Sequence, residues 1–259
     1  MLVDTHCHIN SLSQEQKQAV FDAVKGDHIF IDSSINLQTS HDSLTFSQWY
    51  PFVYSSLGFH PFSGEEYSSE VFDEYDRLFE TNSKIVAIGE IGLDYKAPIS
   101  IEKQEEIFRN FVGLSYRYKL PIVIHNRFNE EMVFKGGSLH IVNLLNELIT
   151  SYEKVVFHCF SYGPHYLEQI LKKGAMVSFS LNTLRDNKKI IESLKECPLK
   201  NLLFETDSPY MKIKKDHSTP FDINKVYERA AEIKNVSVEL LKEAVYANAQ
   251  EVFSLEEKV

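Results

Sequence analysis

Leu2-Val3-Asp4-Thr5-His6-Cys7-His8 opens the chain as a short apolar lead running into two histidines one residue apart. Successive side chains of a strand point to opposite faces, which puts His6 and His8 on one side and Cys7 on the other. Two imidazoles on one face, where an apolar strand ends, can chelate a metal. The spacing alone does not separate a metal site from two solvated histidines. What separates them is whether later strands end in the missing ligands.

Working outward, apolar runs recur and close on the same kinds of residue. The run 52–57 ends at Gly58-Phe59-His60-Pro61, and 85–88 runs into Gly89-Glu90-Ile91-Gly92-Leu93-Asp94-Tyr95. The strand over 121–124 ends at His125-Asn126-Arg127, the run from 155 at His158-Cys159-Phe160-Ser161, and the run from 202 at Glu205-Thr206-Asp207-Ser208-Pro209. Glycines beside Glu90 let the backbone turn closely, and an acid between apolar neighbours is expensive unless paired or bound to a cation. Asp94 reads as a turn residue that caps backbone amides. Glu205 and Asp207 are expected to share one strand face, where two buried carboxylates would repel without a cation or proton between them.

Helical spacing of apolar residues predicts helices over 13–25, 37–50, 71–79, 102–119, 139–152, 166–172, 187–196, 223–234 and 238–253. Further strands are expected at 29–34 and at 175–180, the latter without a ligand. Strands and helices thus alternate at roughly 30-residue intervals in about eight pairs, the pattern of a TIM (β/α)8 barrel, α/β in class. In such a barrel the C-terminal strand ends meet at one mouth, so His6, His8, His60, Glu90, His125, His158 and Asp207 are expected to converge. His28, His41, His140, His165 and His217 fall away from strand ends and read as surface residues.

The chain has 259 residues, a hydrophobic fraction of 43%, and only 10 Gly and 8 Pro, scattered without a linker, so one TIM-barrel domain over 1–259 is the simpler expectation. There is no basic and apolar leader and no spanning apolar run, and a cytoplasmic protein without a membrane contact or an obligate protein partner is expected. Three cysteines without a Cys-x-x-Cys pair argue against a disulfide framework or a zinc ribbon. A net charge of -10 argues against a broad basic nucleic-acid groove. It does not exclude phosphate substrates, because bound metal supplies positive charge that a sequence sum omits.

Four histidines and two carboxylates exceed what one four-coordinate ion needs, which points to two divalent ions. The imidazole and carboxylate mixture fits Zn, Mn, Fe or Co better than an all-oxygen Mg site. The reaction class is hydrolysis, with a ligand carboxylate such as Asp207 able to accept a proton from water. No Gly-x-Gly-x-x-Gly or P-loop pattern supports dinucleotide redox or nucleotide-driven chemistry.

The ordered set of strand-end motifs, from Asp4-Thr5-His6-Cys7-His8 to Glu205-Thr206-Asp207-Ser208-Pro209, resembles the TatD family, as does the late Asn248-Ala249-Gln250-Glu251-Val252-Phe253. The resemblance implies a metal-dependent hydrolase, in a family whose characterised members are largely deoxyribonucleases, and a 3′ exonuclease acting on DNA is its most specific form. It implies that His6, His8, Glu90 and Asp207 hold one metal, that His125 and His158 hold a second, and that Glu90 bridges them, with Glu90 and Asp207 counted as catalytic. By the same carry-over His60 touches substrate phosphate and Glu205 orients a ligand or water from behind. Arg127, two residues beyond His125 on the same strand face, is expected to bind a phosphate oxygen.

One segment departs from the family. Where many members continue Arg-Gly-x-x-Asn-x-Pro, this chain reads Tyr210-Met211-Lys212-Ile213-Lys214-Lys215-Asp216-His217-Ser218-Thr219-Pro220. Lys212, Lys214 and Lys215 could supply charge but not the bidentate geometry of arginine. Two alternatives therefore stand beside the nuclease: a metal-dependent hydrolase of a small-molecule or aminoacyl ester or amide, and a non-catalytic metal-binding barrel.

Overall fold

The computed structural model describes residues 1–24, 26–127, 140–213 and 216–255. Among these residues eight parallel strands form one sheet in chain order: β1 (Leu2–Cys7), β2 (His28–Ser33), β3 (Val53–Leu57), β4 (Ile85–Asp94), β5 (Ile122–Arg127), β6 (Val155–Phe157), β7 (Met176–Phe179) and β8 (Leu202–Phe204). The helices around it are α1 (Gln14–Ala23), α2 (Leu37–Trp49), α3 (Ser69–Thr81), α4 (Ile101–Tyr118), α5 (His140–Leu148), α6 (Pro164–Leu171), α7 (Lys188–Glu196), α8 (Ile223–Lys234) and α9 (Val238–Phe253). This is the expected TIM barrel. Strands covered on both faces need continuous rather than alternating apolar runs, and β2, β6, β7 and β8 are buried along their full length.

The barrel closes irregularly between β8 and β1. Asp207 donates its backbone N–H to His6 O at 2.9 Å and His8 donates to Ser208 O at 2.7 Å. Below them the buried Asp4 carboxylate accepts from Thr206 N at 2.9 Å and from Thr206 Oγ1 at 2.6 Å. The first and last mouth residues are therefore held together by a few specific bonds in place of a regular ladder.

Several strand limits differ from the sequence expectation. Strand β8 stops at Phe204, and Asp207 adopts a left-handed backbone (φ 53°), so Glu205 and Asp207 do not share a strand face. Strand β6 stops at Phe157, and Cys159 is also left-handed (φ 44°). Alternation holds at Cys7, which packs with Val20, Phe30 and Val53 under α1 and α2. Cys159, next to His158, lines the mouth. His28, expected at the surface, is the first residue of β2 and is buried at the opposite end of the barrel. The segment after Pro209 contains a short antiparallel pair, β9 (Lys212–Ile213) with β10 (Asp216–His217). Lys212 is exposed, and Lys214 and Lys215 lie outside the described residues.

Strand β4 is long because it is bulged. Its register against β5 slips between Ile88 and Ile91, and Gly89 and Gly92 sit at φ 140° and 151°. A Cβ on Gly92 would stand 1.8 Å from His125 O. The bulge turns Glu90 toward the barrel axis, and the two glycines let β5 approach closely beside it.

Candidate metal centre

Glu90 lies at the middle of the mouth, 4% exposed, and its two carboxylate oxygens face different partners. Oε2 is 3.5 Å from His6 Nε2 and 3.7 Å from His8 Nε2. Oε1 is 2.5 Å from His125 Nδ1, 3.0 Å from His158 Nε2 and 3.5 Å from His60 Nε2. Asp207 Oδ1 joins from the seam, 3.4 Å from His8 Nε2. The two histidines of β1 have their Nε2 atoms 3.2 Å apart, and the His6 ring stacks on His158 with centroids 4.0 Å apart.

His6, His8 and His125 are aimed from behind. His8 donates Nδ1–H to Ser33 O at 2.8 Å, and the Ser33 hydroxyl lies 3.0 Å from His6 Nδ1, so one β2 residue orients both. His125 Nε2 faces Asp94 Oδ2 at 3.0 Å, while Asp94 Oδ1 accepts from Lys96 N at 2.8 Å. Asp94 thus caps a turn, as expected, and also fixes a ring. His158 Nδ1 lies 3.3 Å from Glu205 Oε1 but has no hydrogen-bond partner among the described residues, and that oxygen accepts from Cys159 N at 2.6 Å. Glu205 Oε2 is buried with no hydrogen-bond partner among the described residues. Ser33 has no sequence signal of its own. Its role follows from β2 lying beside β1.

The charge balance fits a cation. Burial alone would push the Glu90 carboxyl up, but the His60, His158 and His125 imidazoles outweigh it and hold it well below the usual carboxylate range. Burial works to lower His158 and His125, and the facing carboxylates hold both above the ordinary histidine value. Burial and the neighbouring His158 push His6 down, and burial takes His60 to about 4. A buried anion inside five imidazoles must be balanced by protons or by metal. Among the described residues three donor sets lie with their ligand atoms within 4.8 Å of one another: His6, His8, Glu90; His6, His158, Glu205; and His60, Glu90, His125. Imidazole nitrogens with carboxylate oxygens suit a transition-series divalent ion, so the residues present fit the metal that the motifs imply.

His6, His8, His60, Glu90, His125, His158 and Asp207 are therefore brought to one place, with Glu205 directly behind His158. Arg127 stands apart from this cluster as the exposed last residue of β5, on the wall of the cavity above it. That cavity, of about 1090 Å³, is also lined by Phe62, Tyr162, Arg185 and Tyr210. Cys159 reaches it as well, and burial pushes its thiol well above the usual range, which disfavours the thiolate.

The sequence matches the TatD related DNase family over residues 3–254. It is 32% identical over 257 residues to the uncharacterized metal-dependent hydrolase MJ1582 of Methanocaldococcus jannaschii, covering 97% of this chain and 96% of that one. It is 24% identical over 259 residues to the 3′-5′ ssDNA/RNA exonuclease TatD of Pectobacterium atrosepticum, covering 95% and 96%. The solved structure of YJJV, a TatD homolog from Escherichia coli, shares the fold with a TM-score of 0.87 at 22% identity over 98% of both chains. With a family match over nearly its whole length and a relative 32% identical across it, the chain belongs to the TatD related DNase family of metal-dependent hydrolases.

Proposed function

We propose that this chain is a metal-dependent phosphodiesterase that shortens DNA from its 3′ end. The observation that carries the reading is the division of the Glu90 carboxylate, Oε2 toward His6 and His8 and Oε1 toward His125, His158 and His60. A carboxylate so placed is suited to bridge two divalent ions, one with His6, His8 and Asp207 and the other with His125 and His158. Bound there, such ions supply a water of lowered pKa and positive charge for the reacting phosphate.

The side chains have separable tasks. Burial raises the Asp207 carboxyl, yet His8 and His158 hold it below its ordinary value; it is therefore ionised at neutral pH and able to take the proton of the attacking water. His60 faces the same side of Glu90 as His125 and is read as a contact to substrate phosphate. Arg127 offers a planar fork for a non-bridging phosphate oxygen. Glu205 keeps His158 in one orientation.

The DNA substrate rests on the family and on the exonuclease TatD of Pectobacterium atrosepticum. With a net charge of -10, recognition would be confined to the cavity. A second reading, hydrolysis of a small-molecule or aminoacyl ester or amide, is favoured by the lysine-bearing segment after Pro209.

The test is hydrolysis of end-labelled single- and double-stranded DNA with added Mg, Mn or Zn, beside chelated protein and Asp207→Asn. Progressive loss from the 3′ end that vanishes in both controls is expected. Ester cleavage without DNA cleavage, in protein that contains metal, would replace this reading with the second.

A further inference from the structure

Two aromatic rings at the cavity have no part in the chemistry above. Phe62 follows His60-Pro61 and Tyr210 follows Ser208-Pro209, so each is delivered by a mouth motif. Both line the cavity, yet they are 49% and 53% exposed. Phe62 stacks on the His60 imidazole, centroids 5.6 Å apart and planes 23° from parallel. Tyr210 meets the His8 ring edge to face at 4.8 Å and 73°, with its hydroxyl 3.2 Å from Ser11 Oγ. Because His60 faces Glu90 Oε1 and His8 faces Oε2, one ring stands beside each end of the central carboxylate. Trp49 and Tyr116, which are as exposed, do not line this cavity.

A cation accompanies the rings. Arg185, from the connection between β7 and α7, lines the cavity with Nη2 3.4 Å from the sulfur of Met211, the neighbour of Tyr210. Among the described residues it has no carboxylate partner. Flat apolar faces beside this guanidinium match a ligand that carries planar bases on an anionic backbone.

We propose that Phe62 and Tyr210 are stacking platforms for the terminal bases of an unpaired strand, with Arg185 against an adjacent phosphate. This rests on the phosphodiesterase reading and adds the recognition of the strand. In a duplex both faces of an internal base are already stacked, so the platforms favour a single-stranded end. They also work without base-edge contacts and so tolerate any sequence.

The test compares KM for a single-stranded oligonucleotide with KM for the same strand carrying abasic residues at its last two 3′ positions. Each stacked base is worth about 5- to 150-fold in affinity, so removing the bases should raise KM of the wild-type protein by roughly tenfold or more. Phe62→Ala and Tyr210→Ala should shrink that penalty toward one, whereas Phe62→Tyr and Tyr210→Phe should keep it. Arg185→Gln should raise KM for both substrates by a similar factor. Metal content measured on every variant separates loss of stacking from damage to the histidines beneath the rings. No abasic penalty in the wild-type protein, or an undiminished one in both alanine variants, overturns the platforms while DNA turnover leaves the phosphodiesterase reading standing. If the wild-type protein shortens neither oligonucleotide, that reading falls and the platforms fall with it.

Discussion

Asp94 Oδ2 stands 3.0 Å from Nε2 of His125, whose other ring nitrogen faces Glu90 Oε1 at 2.5 Å. Burial raises the Asp94 carboxyl, but His125 and the Lys96 amide outweigh it and hold it below the ordinary value. An ionised Asp94 therefore keeps the proton of His125 on Nε2 and leaves Nδ1 free as a donor atom for metal. Asp94→Ala should weaken divalent-metal binding by about 10- to 100-fold, read by competition with a coloured chelator. Unchanged affinity would remove Asp94 from the site.

Gly92 tests how the site depends on the bulge of β4. At φ 151° with His125 O at 1.8 Å from a Cβ, neither the backbone nor the partner strand can accept a side chain. Gly92→Ala should cost on the order of 3 kcal/mol or more of stability, since strain and displacement of β5 add. Denaturant unfolding measures it, and a loss below about 1 kcal/mol would mean that β5 yields more easily than this packing allows.

Most of the mouth can be read from the strand ends, and Asp94 and Gly92 show where such reading stops. Apolar runs closed by His6, His60, Glu90, His125 and His158 disclosed both the barrel and the residues that meet at its mouth, because strand ends are local features and the fold does the gathering. The tasks of Asp94 and Ser33 depend on register between neighbouring strands, including a slip in β4, and no single segment encodes that. Alternation misled at Asp207 because β8 ends three residues earlier and the chain turns left-handed to reach β1. His28 looked like a surface residue because its burial comes from Phe30 and Phe221, the latter far along the chain.

Asp32 gives the metal-free protein a pH signature. Its carboxyl is fully buried in β2, accepting from Asn10 N and Asn10 Nδ2, and burial pushes it up to about 6 from an ordinary 3.8. Below the ordinary value the group is protonated whether folded or not. As pH rises through about 6 the fold must carry a buried charge, so stability is lost over that window. A shift of that size corresponds to at most roughly 3 kcal/mol. Asp32→Asn should be more stable than the wild-type protein above pH 7 in the presence of chelator, with the gap closing by pH 4. A gap that stays constant across this range would contradict the assignment.

The most direct measurement concerns Glu90, whose two oxygens face the two halves of the site. Metal content per chain should be determined after equilibration with Zn or Mn for the wild-type protein and for Glu90→Gln, alongside turnover of 3′-labelled single-stranded DNA. Two ions are expected in the wild-type protein, with loss of both to below one in Glu90→Gln and turnover lower by at least about 10³-fold, the loss of one strong electrostatic contribution. Two ions retained in Glu90→Gln with turnover near that of the wild-type protein would contradict this expectation.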